Sequence, residues 1–135
     1  MPTTPTAEDM YKYVGLTIDR SRSDEKLTEK FKKLGAVVKV ITTEPEGVLI
    51  LDMPNQRAYQ GSADDEADAT LRMTCDTANR FWQGDVNLLT AVNTRAVILE
   101  GKMSVLAKAL PVAQEMFPTY IALLKSDGRT DLLVG

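Results

Sequence analysis

The feature that most restricts the fold of this chain is a change in hydrophobic period near Gly35. Before it, Met10, Tyr13, Val14, Thr17 and Ile18 recur at steps of three and four. That spacing predicts one apolar helical stripe from Ala7 to about Ile18. A second helix is expected from Ser23 as N-cap to Leu34, with Gly35 placed to end it. After Gly35 the period becomes that of strands. Ala36 to Thr42 is rich in valine, Val48 to Met53 follows a Glu-Pro-Glu-Gly turn, and Arg57 to Gln60 follows Pro54-Asn55. Thr70 to Cys75 alternates polar and apolar residues strictly, giving one wet face and one dry face.

Past Cys75 the pattern shortens and then turns apolar. Asp76 is positioned to cap a short helix, Thr77 to Gln83, that stops at Gly84, and Asp85 to cap another, Val86 to Asn93. A last strand runs from Ala96 to Met103, where Val97, Leu99, Gly101 and Met103 alternate with Ile98, Glu100 and Lys102. The closing helix starts at Ser104 and carries Leu106, Leu110, Ala113 and Phe117 on one face; Pro111 and Pro118 are expected to bend or restart it. Short connections favour antiparallel neighbours, so the expectation is an α+β fold, an antiparallel sheet covered by helices. Residues 1–6, rich in Thr and Pro, read as a flexible tail before a single domain spanning 7–135.

Composition narrows the function. The chain of 135 residues contains no histidine and one cysteine, Cys75. Ser-His-Asp and Cys-His nucleophile systems therefore lack a part, as do histidine-ligated metal sites and cysteine zinc sites. A net charge of −3 offers a phosphate backbone no long-range attraction, so nucleic acid is not the expected partner. No apolar run approaches the ~20 residues that cross a bilayer, and no secretory or peroxisomal signal is legible, so a cytoplasmic location is expected.

The runs Leu71-Arg72-Met73-Thr74-Cys75-Asp76, Phe81-Trp82-Gln83-Gly84-Asp85 and Ala96-Val97-Ile98-Leu99-Glu100-Gly101-Lys102-Met103 lie in the order strand, helix ending in glycine, strand before an apolar helix. This stretch resembles the sterol-carrier-protein type 2 lipid-binding domain. It departs in two places: Thr94-Arg95-Ala96 stands where a glycine usually opens the last strand, and Lys102 where Asp or Asn usually follows Gly101. The resemblance implies a five-stranded sheet covered by helices, with an apolar tunnel for a sterol, fatty acid or fatty acyl-CoA, and no catalysis or cofactor.

By periodicity alone Phe81, Leu89, Val92, Leu106, Leu110 and Phe117 are core. With the resemblance they become tunnel lining, together with Trp82 and Leu88 and the adaptable side chains Met73, Met103 and Met116. In some members of the family the domain serves as an accessory part of a lipid- or quinone-modifying enzyme assembly, which is the alternative expectation.

The remaining features read as surface or core. Asp64, Asp65, Glu66 and Asp68 lack the glycine and distal glutamate of a calcium loop and read as a solvated turn. Cys75 reads as a small buried hydrophobe at the end of a strand. The basic run Arg20, Arg22, Lys26, Lys30, Lys32 and Lys33 suits transient contact with an anionic membrane, but the intervening Asp24, Glu25 and Glu29 favour a solvated face. An enzyme would have to work through carboxylates such as Asp76 and Asp85 alone.

Overall fold

In the computed structural model, which describes residues 4–134, the ordered chain begins earlier than the sequence boundary. Pro5 is buried, and Thr6 closes a capping box with Asp9: the Asp9 amide donates to Thr6 Oγ1 (3.0 Å) and the Thr6 amide to the Asp9 carboxylate (2.9 Å). The expected tail thus contains the start of the fold, and the part of that expectation falling on residues 1–3 lies outside the described residues. This cap opens α1 (Ala7–Ser21), whose buried Met10, Tyr13, Val14, Thr17 and Ile18 are the predicted stripe. Asp24, not Ser23, caps α2 (Glu25–Leu34), and Gly35 ends it in the left-handed region at φ 58°.

The strands follow: β1 (Val37–Thr43), β2 (Gly47–Asp52), β3 (Arg57–Gln60) and β4 (Ala69–Thr74). Then come α3 (Cys75–Trp82), α4 (Leu88–Asn93), β5 (Ile98–Gly101) and α5 (Met103–Ser126), with a 3-10 turn at Thr130–Leu132. The strand order is β3-β2-β1-β4-β5. Three of the four strand pairs are antiparallel as expected, but β1 and β4 pair parallel, Val40 beside Leu71.

The sheet is therefore mixed rather than purely antiparallel, and the reason lies in the acidic segment after β3. Short turns lay β2 and β3 on one side of β1; residues 61–68 then cross the outer face of the sheet and deliver β4 to the other side. The crossing is held down at both ends. Lys39, nearly buried on β1, donates from Nζ to the carbonyls of Ala63 and Asp65 (both 2.7 Å), while the Val37 amide donates to the Asp68 carboxylate (2.7 Å). Burying an ammonium requires such oxygen partners, so the segment, whose acidic side chains are exposed as expected of a solvated turn, also forms a strap over Lys39 through its backbone.

Three further boundaries move. Cys75 opens α3 instead of ending a strand, because Thr74 Oγ1 accepts from the Thr77 amide and takes the cap from Asp76. Asn87, not Asp85, caps α4. The last strand stops at Gly101, and α5 runs unbroken as helix through Pro111 and Pro118.

Candidate functional site

Alternation along the strands sends one row of side chains to the helix-covered face: Val38, Val40 and Thr42 from β1, Leu49 and Leu51 from β2, Leu71 and Met73 from β4. Above that row lie Met10 of α1, Ala78, Phe81 and Trp82 of α3, Leu88 of α4, and Leu106, Ala109, Leu110 and Ala113 of α5. Together with Met53 they enclose an apolar chamber of about 50 Å³. None of these side chains carries a charge.

Beside the chamber, between the α3–α4 region and α5, is a wider vestibule of about 300 Å³ lined by Gly84, Val86, Asn87, Leu89, Gln114 and Phe117. Phe81, Leu88 and Leu110 line both spaces and so form the partition between them. Gly84 makes the turn at the vestibule wall with φ 79°, a conformation that costs a side-chain-bearing residue but not glycine. The chamber alone is well below the ~300–1,000 Å³ of ordinary ligand pockets. Joined through the partition, the two spaces reach the small end of that range.

The partition is aromatic and anchored from behind. The Phe81 ring meets Trp82 and Phe117 edge-on at centroid distances of 5.6 and 5.3 Å, and Trp82 lies 6.1 Å from the Tyr120 ring. Tyr120 donates its hydroxyl to Asn79 Oδ1 (2.6 Å); Asn79 and Gln83 both donate to the Leu132 carbonyl (2.9 Å each). This buried network ties α3 to α5 and to the C-terminal segment, and so fixes the helix bearing Phe81 and Trp82. Burial pushes the Tyr120 phenol well above its usual range, so it remains a donor.

Met73, Phe81, Trp82, Leu88, Leu106 and Leu110 thus lie on the chamber wall, and Leu89 and Phe117 on the vestibule. Three expected residues lie on neither. Met103 is 42% exposed, because the strand that would have turned it inward ends at Gly101 and it starts α5 instead. Met116 is packed in the core, and Val92 lies half-buried against it. The sequence reading missed Met10, Met53, Val38, Val40, Leu49 and Leu51; the valine-rich alternation of β1 and β2 was the signal that could have found them.

The charged features point away from this site. Asp76 and Asp85 both pair with Arg80, at 3.0 and 3.2 Å, on the surface. Of the basic run, Arg22 donates to the Gln56 carbonyl (2.9 Å) and Lys30 to Glu115 (2.8 Å), while Arg20, Lys26, Lys32 and Lys33 are exposed. Among the described residues no cluster of acidic or cysteine side chains is arranged to hold a metal, and no helix is long and apolar enough to cross a membrane.

A family model described as the SCP-2 sterol transfer family matches residues 17–114, well over half of the chain. The chain belongs to the SCP-2 sterol transfer family. No curated protein sequence matches it. Among solved structures, apo sterol carrier protein 2 from Yarrowia lipolytica aligns with a TM-score of 0.66 at 16% identity, over 84% of this chain and 94% of that one. A UbiJ-SCP2 ubiquinone synthesis protein gives 0.59 at 17% identity, over 86% and 95%. Sterol carrier protein-2 from Aedes aegypti, solved in complex with the C16 fatty acid palmitate, gives 0.53 at 18% identity, over 72% and 94%. At these identities the likeness establishes the SCP-2 fold.

Proposed function

We propose that this chain is a non-catalytic cytoplasmic carrier that holds an elongated apolar molecule, a sterol or a fatty acyl chain, in the chamber with its far end in the vestibule. The observation that carries the reading is the uncharged chamber, walled by the sheet and four helices and separated from a solvent-side vestibule only by Phe81, Leu88 and Leu110. Its small volume is compatible with a larger ligand because Met10, Met53 and Met73 line it, and unbranched thioethers re-pack at little cost. Burying a dozen methylenes at ~0.8 kcal/mol each gives on the order of 10 kcal/mol gross. Association takes back at least ~4 kcal/mol of that, which leaves about 6 kcal/mol, an affinity of tens of micromolar, without any ionic contact.

Catalysis has no support in the site. The carboxylates weighed as a reacting pair are neutralised by Arg80 outside the chamber. Native mass spectrometry of the purified protein should find one lipid per chain, and titration with a fluorescent sterol or fatty acid should change the emission of Trp82, the sole tryptophan. No co-purifying lipid, together with no binding below ~100 μM, overturns the proposal.

A second reading, an accessory module of a lipid- or quinone-modifying assembly, is favoured by the likeness to the UbiJ-SCP2 ubiquinone synthesis protein. Its mark is capture of a specific enzyme whose activity falls on deletion of this chain and is restored by a variant unable to bind lipid.

A further inference from the structure

One exposed flank of α5 carries no charge for about five turns. Met103, Ala107, Leu110, Gln114, Phe117 and Ile121 recur at steps of four and three, which stacks them along one side of the helix over about 27 Å. Each is exposed or half-buried. Lys108 and Glu115, the charged residues in that span, lie about a third of a turn further round. The middle of the stripe, Leu110, Gln114 and Phe117, lines the vestibule, and Leu89 lines it from α4. Leu89 and Met103, at 41% and 42%, are two of the four large hydrophobic residues exposed among the described residues. An apolar surface continuous with the mouth of a cavity marks a contact with another body.

The charges around the stripe identify that body. Between Gly84 and Ser126 each carboxylate is already paired: Asp85 with Arg80 (3.2 Å), Glu100 with Arg72 (3.2 Å) and Glu115 with Lys30 (2.8 Å). The exposed cations of the same stretch, Arg95, Lys102, Lys108 and Lys125, have no ionic partner among the described residues. Lys102 and Lys125 close the stripe at its two ends, beside Met103 and one turn after Ile121. A second copy of this face would set cation against cation, whether the two helices ran parallel or antiparallel. A bilayer with anionic headgroups instead takes the apolar flank into its interface and the lysines at its surface, each worth about fivefold in affinity. The basic run of α2 is the poorer match, since Lys30 is held by Glu115, and Glu25 and Glu29 lie among the rest.

We propose that the α5 flank, with Leu89, is the docking surface of this chain for an anionic lipid bilayer, and that docking brings the mouth of the vestibule onto the membrane. Ligand then exchanges between bilayer and chamber without crossing water, a step that rests on the carrier reading above.

Sedimentation of the full chain with phosphatidylcholine vesicles containing about 30 mol% phosphatidylserine tests the surface. The wild type should bind these vesicles about tenfold more tightly than vesicles of phosphatidylcholine alone. Lys102→Gln combined with Lys125→Gln should weaken binding about 30-fold, and Met103→Glu about tenfold. Lys26→Gln with Lys32→Gln and Lys33→Gln, on α2, should weaken it less than the α5 pair does. All six side chains are exposed, so each variant should melt with the wild type. Dodecanoate affinity, read from Trp82 emission, should be the same in the wild type and both α5 variants, which separates docking from ligand binding. No vesicle binding by the wild type, a greater loss from the α2 variant than from the α5 pair, or a concentration-dependent dimer that Met103→Glu dissolves overturns the docking surface and leaves the carrier reading standing. Vesicle binding as expected, with no dodecanoate binding and no co-purifying lipid, keeps the surface and removes the carrier reading.

Discussion

Two residues that depart from the family pattern turn out to sit where backbone geometry is most demanding. Arg95 adopts φ 64° at the turn into β5, a left-handed conformation that costs a residue with a Cβ roughly 1–2 kcal/mol. Lys102 is the N-cap of α5 and makes no capping hydrogen bond, and a cationic residue at that position is disfavoured by the positive end of the helix dipole. Both positions are expected to yield stability. Arg95→Gly should raise the free energy of unfolding by about 0.5–1 kcal/mol, since glycine relieves the strain but frees the unfolded chain. Lys102→Asp should add about 1 kcal/mol by accepting an amide of the first turn. Urea unfolding of each variant checks both, and a loss of stability in either would mean that the native side chain makes a contact outweighing the backbone term. The same positions show the limit of reading caps from sequence. Ser23 and Asp24, Thr74 and Asp76, and Asp85 and Asn87 are each pairs of competent caps. Which one is used depends on where the preceding strand or turn leaves the backbone, and that is tertiary information.

At the scale of elements, α4 is the shortest α-helix of the wall. It has only six residues, and it presents Leu88 inward, 4% exposed, and Leu89 outward, 41% exposed. Leu88→Ala should cost about 2–4 kcal/mol and widen the partition, whereas Leu89→Ala should change stability by less than about 0.5 kcal/mol. Chemical denaturation measures both, and equal costs would show that α4 packs differently from this arrangement. A short helix of this kind opens locally more easily than a central strand. Amide exchange in α4 should therefore outpace that in β1, and saturation with a long-chain ligand should slow it. About a third of the lining of the two spaces was named from the sequence. The motif pattern led to Phe81, Trp82, Leu88, Leu106 and Leu110 because it covers the C-terminal half of the chain. The opposite wall, Val38, Val40, Leu49 and Leu51, reads as ordinary core, since alternation states that a face is dry but not whether space remains beside it. The parallel β1–β4 pair was hidden for a related reason: the acidic segment that makes the crossing gives no sign in its composition of which side of β1 it returns to.

For the molecule as a whole, the beginning and the end of the described chain are joined by carboxylates, and this sets its response to acid. Arg129, just after α5, reaches Asp9 at the start of α1 (2.9 Å) and Asp131 (3.2 Å). One turn further along α1, Tyr13 donates its hydroxyl to Asp127 (2.9 Å), which also pairs with Lys12 (3.1 Å). Burial pushes the Asp9 carboxyl up, but hydrogen bonds from Arg129 and Thr6, with the guanidinium charge, hold it below the usual carboxylate range. Hydrogen bonds from Lys12 and Tyr13 hold Asp127 low in the same way. A carboxyl whose pKa is lower folded than unfolded contributes stability above its unfolded value, ~3.9. That contribution disappears as the pH falls through the lower folded value. The thermal midpoint should therefore be flat from neutrality to about pH 5 and fall steeply below about pH 4. Asp9→Asn should lower the midpoint by a few degrees at neutral pH and flatten the acid limb, because the variant has one fewer proton to take up on unfolding. Since α1 carries Met10 onto the chamber wall and Asn79 and Gln83 hold the Leu132 carbonyl behind Trp82, loosening this junction should also weaken ligand binding in acid before the sheet unfolds. Thermal melts and Trp82 titrations over the same pH series separate the two effects: loss of binding should precede loss of the melt, and coincident loss would show that α1, the C-terminal segment and the sheet come apart in one step.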